Sequence, residues 1–178
     1  MNFKRIWVDL EYIFLNVFVN KIPSWAIRAF IYKSFGMRIG EGARIGIGTI
    51  VCCPSKIVLG KRVIVNEYCY LDGRFGIEIN HDVGISAYTK IITGTHLPDS
   101  IDFKYSGAKV IIRHHAWLCT GATVLLGSII SEKTVIGAES VYKGISEPND
   151  IIIGNPGKVI RKRNCDVEYK LEYECFFR

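Results

Sequence analysis

From Ile39 to Ser146 the chain repeats itself every six residues: an aliphatic side chain, usually a small residue after it, and a second small or β-branched residue four places after the first. Ile39-Gly40 with Ala43, Ile45-Gly46 with Thr49, and Val51-Cys52 with Ser55 open the series. The phase slips by two at Leu59, continues through Val65 and Leu71, slips again to Ile79 and runs on through Ile85 and Ile91. After an interruption it resumes at Ile112, Leu118, Val124, Ile130, Ile136 and Tyr142. A helix would space apolar residues by three and four and a plain strand by two, so a period of six fits neither alone. It fits a solenoid of stacked parallel strands, each hexad supplying one short strand and one corner. The aliphatic side chain points into a prism and the small residues leave room at the corners. Three hexads would close a triangular coil of about eighteen residues, and the register holds about five coils. With strands ~4.8 Å apart the prism would stand roughly 20–25 Å tall. Amphipathic strands of a sandwich would show no fixed offset between aliphatic and small positions; here the offset holds.

A chain of 178 residues with 49% apolar content is one soluble domain with room for appendages. Its six cysteines include no Cys-x-x-Cys pair, and no secretory signal is recognisable at the start. Cys52 and Cys119 occupy small second positions of hexads and Cys69 a fifth position, so reduced packing thiols in a cytosolic protein are expected. Residues 1–38 differ in character: Ile6, Leu10, Ile13, Phe14 and Val17 recur at helical spacing, with polar Asp9, Asn16 and Asn20 between them. Pro23-Ser24 starts and Gly36 stops a second short helix from Trp25 to Lys33. Uncharged runs here fall short of the about 20 residues needed to span a bilayer. The segment is expected to cap an open end or flank of the prism, because an uncovered solenoid end exposes strand edges. A second reading lays its aromatic-rich face on a membrane, with Lys4, Arg5, Lys21 and Arg28 toward lipid phosphates.

The net charge of +6 is concentrated in part at Lys158, Arg161, Lys162 and Arg163, directly after the last coil. A nucleic-acid binder would interleave basic residues with exposed aromatics along a face, which the hexads do not do. A local cluster suits a small polyanion such as a nucleotide cofactor with several phosphates, or is simply a solvated segment. Between Ile92 and Lys109 the hexads stop, and residues 93–109 read as a loop with His96 at its base. A regular solenoid gains nothing structurally from so long an ejected segment, and such loops are usually functional. An imidazole, with an intrinsic pKa near ~6.5, is suited to taking a proton from a hydroxyl at neutral pH; a histidine that merely hydrogen-bonds the loop is the alternative. Cys119 as a nucleophile is a minor alternative.

The hexads, the Thr95-His96 pair at the loop, the segment from Ala116 to Ala122, and the ending Gly154-Asn155-Pro156-Gly157-Lys158-Val159-Ile160-Arg161 together resemble the hexapeptide-repeat acyltransferases. The similarity covers roughly residues 35–163. It is greatest toward the O-acetyltransferases of capsule and lipopolysaccharide synthesis, through Asp99-Ser100 and Asp102-Phe103 in the loop, and toward the maltose and galactoside acetyltransferases. The resemblance implies an all-β, left-handed parallel β-helix with a short helical N-terminal segment, assembled as a homotrimer with active sites between prisms. The expected organisation is a helical cap over 1–38, the β-helix over 39–156 with its loop at 93–109, and a basic tail over 157–178.

By resemblance His96 is the catalytic base and Trp117 lies beside the pantetheine arm of acetyl-CoA. The backbone N–H of Thr120 faces the thioester oxygen. Ala138 and Lys143 line the coenzyme tunnel, Lys158 and Arg161 meet its phosphates, and Asn66 and Asp72 hold the acceptor sugar. The partner that orients His96 stays open among Asp99, Asp102 and a backbone carbonyl. The implied reaction is acetyl transfer from acetyl-CoA to a sugar hydroxyl in the cytoplasm, possible at the inner membrane face. An amine of a nucleotide-linked amino sugar, or a xenobiotic, is the alternative acceptor. A zinc hydratase would need three convergent histidines; His81, His96, His114 and His115 lack the spacing, so no metal is expected. A noncatalytic scaffold would need neither the loop histidine nor the basic ending.

Overall fold

The computed structural model describes residues 3–172; Tyr173, Phe176 and Phe177 fall outside the described residues, as do the side chains of Lys4 and Arg5. Each hexad becomes a strand of two or three residues followed by a corner. The first coil comprises β1 (Arg38–Ile39), β2 (Arg44–Ile45) and β3 (Ile50–Cys52). The second comprises β4 (Ile57–Leu59), β5 (Ile64–Val65) and β6 (Tyr70–Asp72), and the third β7 (Ile77–Ile79), β8 (Gly84–Ile85) and β9 (Lys90–Ile91). An arm of β10 (Gly94–His96) and β11 (Tyr105–Gly107) intervenes. The fourth coil is β12 (Val110–Ile112), β13 (Trp117–Leu118) and β14 (Thr123–Val124), the fifth β15 (Ile129–Ile130), β16 (Val135–Ile136) and β17 (Val141–Tyr142). β18 (Asp150–Gly154) begins a sixth turn and β19 (Gly157–Lys162) folds back on it antiparallel.

Three parallel faces result. Face A stacks β1-β4-β7-β12-β15, face B stacks β2-β5-β8-β13-β16-β18-β19, and face C stacks β3-β6-β9-β14-β17. The opening aliphatics pair coil over coil, Ile39 on Leu59 on Ile79 and Ile45 on Val65 on Ile85. Ile45, Leu71, Ile91, Ile112, Leu118 and Val124 are among those fully or almost fully buried in one column. The small second position has a sharper cause than the turn itself. A Cβ on Gly46 would lie 2.5 Å from the backbone nitrogen of Glu67 in the coil above, so no side chain fits there.

Both register slips have one physical origin. Short 3-10 turns, Pro54–Lys56 and Gly73–Phe75, lengthen the corner between faces C and A in the first two crossings. The arm leaves the prism at that same edge in the third. All irregularity is therefore collected along one of the three edges.

The N-terminal segment is helical and packs on the first coil. α1 (Phe3–Ile13) passes into a π turn (Phe14–Phe18) and a 3-10 turn (Val19–Lys21), and α2 (Trp25–Ser34) follows. Polar groups of this segment satisfy the open edge of the first coil, which would otherwise be left unpaired. The Asn16 side chain donates to the Val51 carbonyl at 2.9 Å and accepts from the Val51 N–H at 2.8 Å, and the Asn20 backbone carbonyl accepts from the Gly48 N–H. Arg28 corrects the membrane reading of that residue: it is fully buried and donates to the carbonyls of Ile22, Pro23 and Ile45. Burial pushes its guanidinium below the ordinary range. At the other end, residues 157–162 are not a tail but the last strand of face B.

Candidate active site

The interruption is a β-hairpin rather than a loop without structure, with His96 opposite Tyr105 near its outer end. A carbonyl can only accept, so the 2.6 Å contact between His96 Nδ1 and the Phe103 carbonyl puts the ring proton on Nδ1. Nε2 is left with a free lone pair. This resolves the open choice of partner: the backbone orients the ring, while Asp102 accepts from the Ser100 hydroxyl. The imidazole also stacks on the Phe103 ring at 3.9 Å between centroids, with Tyr105 at 5.2 Å. His96 itself is exposed.

Asp72 holds the arm to the prism. Its carboxylate accepts from Arg74 Nε (2.7 Å) and Nη2 (3.0 Å), and from the N–H groups of Arg74, Thr93 and Gly94. The Thr93 hydroxyl donates to the Asp72 carbonyl and accepts from the Phe75 N–H. Burial alone would raise the Asp72 carboxyl, but these donors outweigh it and hold the group below its ordinary range. The expected role of Asp72 as an open sugar contact is thereby corrected: it is completely buried and every donor around it belongs to the arm or its base. Arg74 then lies 5.6 Å from the Tyr105 ring, linking this tether to the ring beside His96. Between α1 and face C, a cavity of about 290 Å³ opens against Arg74, lined by Glu11, Tyr12, Cys52, Cys53 and Tyr70. Burial raises both of its thiols, which are therefore uncharged at neutral pH.

Of the other expected residues, Trp117 and Arg161 meet on face B. A groove of about 530 Å³ is lined by Trp117, Cys119, Val135, Ile151, Arg161 and Arg163. Trp117 lies against Gly84, where a Cβ would be 3.6 Å from the indole, and its Nε1 donates to the Ser86 hydroxyl at 3.1 Å. Cys119 is a weak candidate nucleophile, because burial raises its thiol. Thr120 and Ala138 sit one above the other on the edge between faces B and C, both exposed. Among the described residues the Thr120 N–H meets no carbonyl, whereas its neighbours Cys119 and Gly121 donate to Ile136 and Ala87. Asn66 is half-buried two coils away on this edge. Lys158 and Arg161 are exposed on β19, and Lys143 is exposed just after β17 on face C. A larger hollow of about 650 Å³ on face A, lined by Arg38, Lys61, Glu78 and Asn80 among others, holds none of these residues. An indole and two guanidinium groups converge in the face B groove.

The sequence of WcaF from Escherichia coli (strain K12), named for acetyl transfer in colanic acid biosynthesis, is 33% identical over 137 residues, 76% of this chain and 75% of that protein. The chain belongs to the hexapeptide-repeat acetyltransferases. WbbJ of the same organism, named for O-acetyl transfer in lipopolysaccharide biosynthesis, is 28% identical over 150 residues and 76% of each chain. No protein-family model matches the sequence. Among solved structures, a Vibrio cholerae hexapeptide-repeat acetyltransferase complexed with acetyl coenzyme A superposes with a TM-score of 0.82 over 90% of each chain at 19% identity. A Clostridium difficile maltose O-acetyltransferase gives 0.81 over 88% of this chain and 87% of that one, at 23% identity. These likenesses fix the fold as the left-handed parallel β-helix.

Within this acetyltransferase the arm and the groove do not meet. The arm leaves the edge between faces C and A, which lies across the prism from face B. The remaining histidines of the acetyltransferase lie elsewhere again, stacked on the edge between faces A and B. There the ligand atoms of His81, Asp82 and His115 lie within 4.8 Å of one another. Both Asp82 oxygens are taken by Arg62, with His81 Nδ1 and the Leu171 N–H as further donors. Burial raises the Asp82 carboxyl, yet these partners hold it well below its ordinary range. A guanidinium occupying the carboxylate disfavours a second cation there, and the cluster reads as an anchor for the C-terminal segment. Tyr169 confirms that role, accepting from His115 Nε2 and donating to the His115 carbonyl. Sequence reasoning missed Tyr105 and Arg74; only the alternation around Tyr105-Ser106-Gly107 could have signalled the returning strand.

Proposed function

We propose that this enzyme transfers the acetyl group of acetyl-CoA to a hydroxyl of a saccharide in surface polysaccharide biosynthesis. The observation that carries the reading is the Nδ1 contact of His96 to the Phe103 carbonyl, which leaves Nε2 as a base on an exposed arm. Nε2 takes the hydroxyl proton as that oxygen attacks the thioester carbon; the C–S bond then breaks and the imidazolium returns the proton to the departing sulfur. A general base contributes typically about 10²–10⁴-fold, and holding both substrates in one cleft contributes more. The Thr120 N–H faces the charge developing on the thioester oxygen. Trp117 and Ala138 flank the pantetheine, Lys143 lines the coenzyme tunnel, and Lys158 and Arg161 meet the phosphates. Asn66 contacts the acceptor, and Asp72 positions the arm.

The enzyme works as a homotrimer in the cytoplasm. Separation of arm and groove on opposite sides of one prism supports assembly: the arm of one copy completes the groove of its neighbour. The names of the relatives, colanic acid and lipopolysaccharide acetyltransferases, favour an O-linked saccharide acceptor over an amine. A thiol-release assay with acetyl-CoA against sugars, sugar nucleotides and oligosaccharides tests this. Turnover on a saccharide hydroxyl, lost in His96→Ala, is expected; turnover on amines alone would overturn the acceptor assignment.

A further inference from the structure

One surface is left without a use by the reaction. α1 and the π turn present Ile6, Leu10, Ile13 and Val17 along one stripe at spacings of three and four, and Trp7, Phe14 and Phe18 along the next at spacings of seven and four. Every one of these seven side chains is exposed, Trp7 at 64%, Leu10 at 55% and Phe18 at 62%. α2 adds Phe30 at 74% and Ile27 at 50%. A soluble chain does not leave so large an apolar area facing water unless something covers it. The prism cannot, because it already takes the opposite side of the segment, where Leu15, Val19 and Tyr32 are buried.

We infer that this cap seats the enzyme on an anionic lipid surface through the outer arc of α1 and the π turn together with Phe30 of α2. Three features favour lipid over a second copy of the chain. Residues 1–38 hold six basic and two acidic residues, so they carry +4 of the chain's +6, and +3 with buried Arg28 set aside. Lys21 and Lys33 are exposed at the ends of the two helical stretches, where cations suit lipid phosphates at the rim of an inserted apolar face. No helix among the described residues is long and apolar enough to cross a membrane, so the cap lies on the surface rather than through it. The consequence deepens, and rests on, the transferase reading. The inner side of the same α1 contributes Glu11 and Tyr12 to the cavity against Arg74, so a seated cap opens that cavity beside the headgroups, where an acceptor carried on a lipid would enter.

Co-sedimentation of the full chain tests this with vesicles of phosphatidylcholine alone and of phosphatidylcholine mixed with phosphatidylglycerol. Binding to the mixed vesicles that weakens with added salt is expected. It should fall by at least about tenfold in Trp7→Glu/Leu10→Glu, and separately in Phe30→Glu, with circular dichroism and oligomer mass unchanged. Absence of binding to the anionic vesicles, binding that ignores these substitutions, or a variant that changes the oligomer mass would overturn the inference; the last result would make the patch an interface between copies. No outcome depends on turnover, so a failed acceptor assignment and a failed membrane assignment are read separately.

Discussion

The prism and the arm are held in place by opposite means. Each interior strand of the prism is fixed by equivalents above and below it, so Ile77 is fully buried between Ile57 and Val110 and no single bond decides its position. The arm has little apolar burial: Phe103 is 68% exposed and Leu97 41%. Its anchorage is polar and local, concentrated in Asp72, Thr93 and the Phe103 carbonyl. The difference teaches where activity and stability separate. Damage to the prism should cost folding before chemistry, and damage to the arm chemistry before folding.

The sharpest break between the two is His96→Ala, expected to lower kcat by about 10²–10⁴-fold while leaving the melting temperature unmoved. Steady-state kinetics beside a thermal melt checks it. Ile77→Ala is the mirror image, with a loss of about 2–5 kcal/mol in denaturant unfolding and little change in kcat for the protein that stays folded. Asp72→Asn sits on the boundary. It keeps an acceptor but loses the charge facing Arg74, and should cost about 1–3 kcal/mol, read as faster hydrogen exchange in the arm than in the prism.

The same carboxylate gives a pH test. Its titration is depressed in the folded chain, so its stabilisation is complete above the ordinary value of 3.8 and is lost as pH falls through the lower folded value. Arm protection should therefore weaken below about pH 4 in the wild type, whereas the Asn variant shows no such step from this site. Phe103→Ala is the mildest change. The carbonyl that orients His96 remains and only the stacked ring goes, so kcat should fall roughly two- to fivefold.

The prism was legible because its information repeats. Gly46 and Ile45 recur with equivalents at each coil, and even the slips at Leu59 and Ile79 carried meaning, as the 3-10 turns at one edge. His96 could be singled out because it stands off the register. Its partner could not, since a backbone carbonyl leaves no trace in residue type. Asp72 was misassigned because an acid beside a cleft looks alike in sequence whether it faces a sugar or two buried N–H groups. The anchor at His81, Asp82 and His115 was hidden for another reason. These corner residues meet only after a coil separates them, and Arg62, Asp82, His115 and Lys133 all turn through left-handed backbone, with φ of 54°, 56°, 59° and 60°. No local pattern announces that conformation for bulky side chains.

The base and the coenzyme groove of one working site are proposed to come from different copies of the chain. Co-assembly of His96→Ala with Trp117→Ala chains, each nearly inactive alone, tests it directly. In a random mixture roughly one interface in four pairs an intact arm with an intact groove, so acetyl transfer should return to about that share of the wild-type rate. Mixed oligomers that form and stay as inactive as either parent would contradict the account.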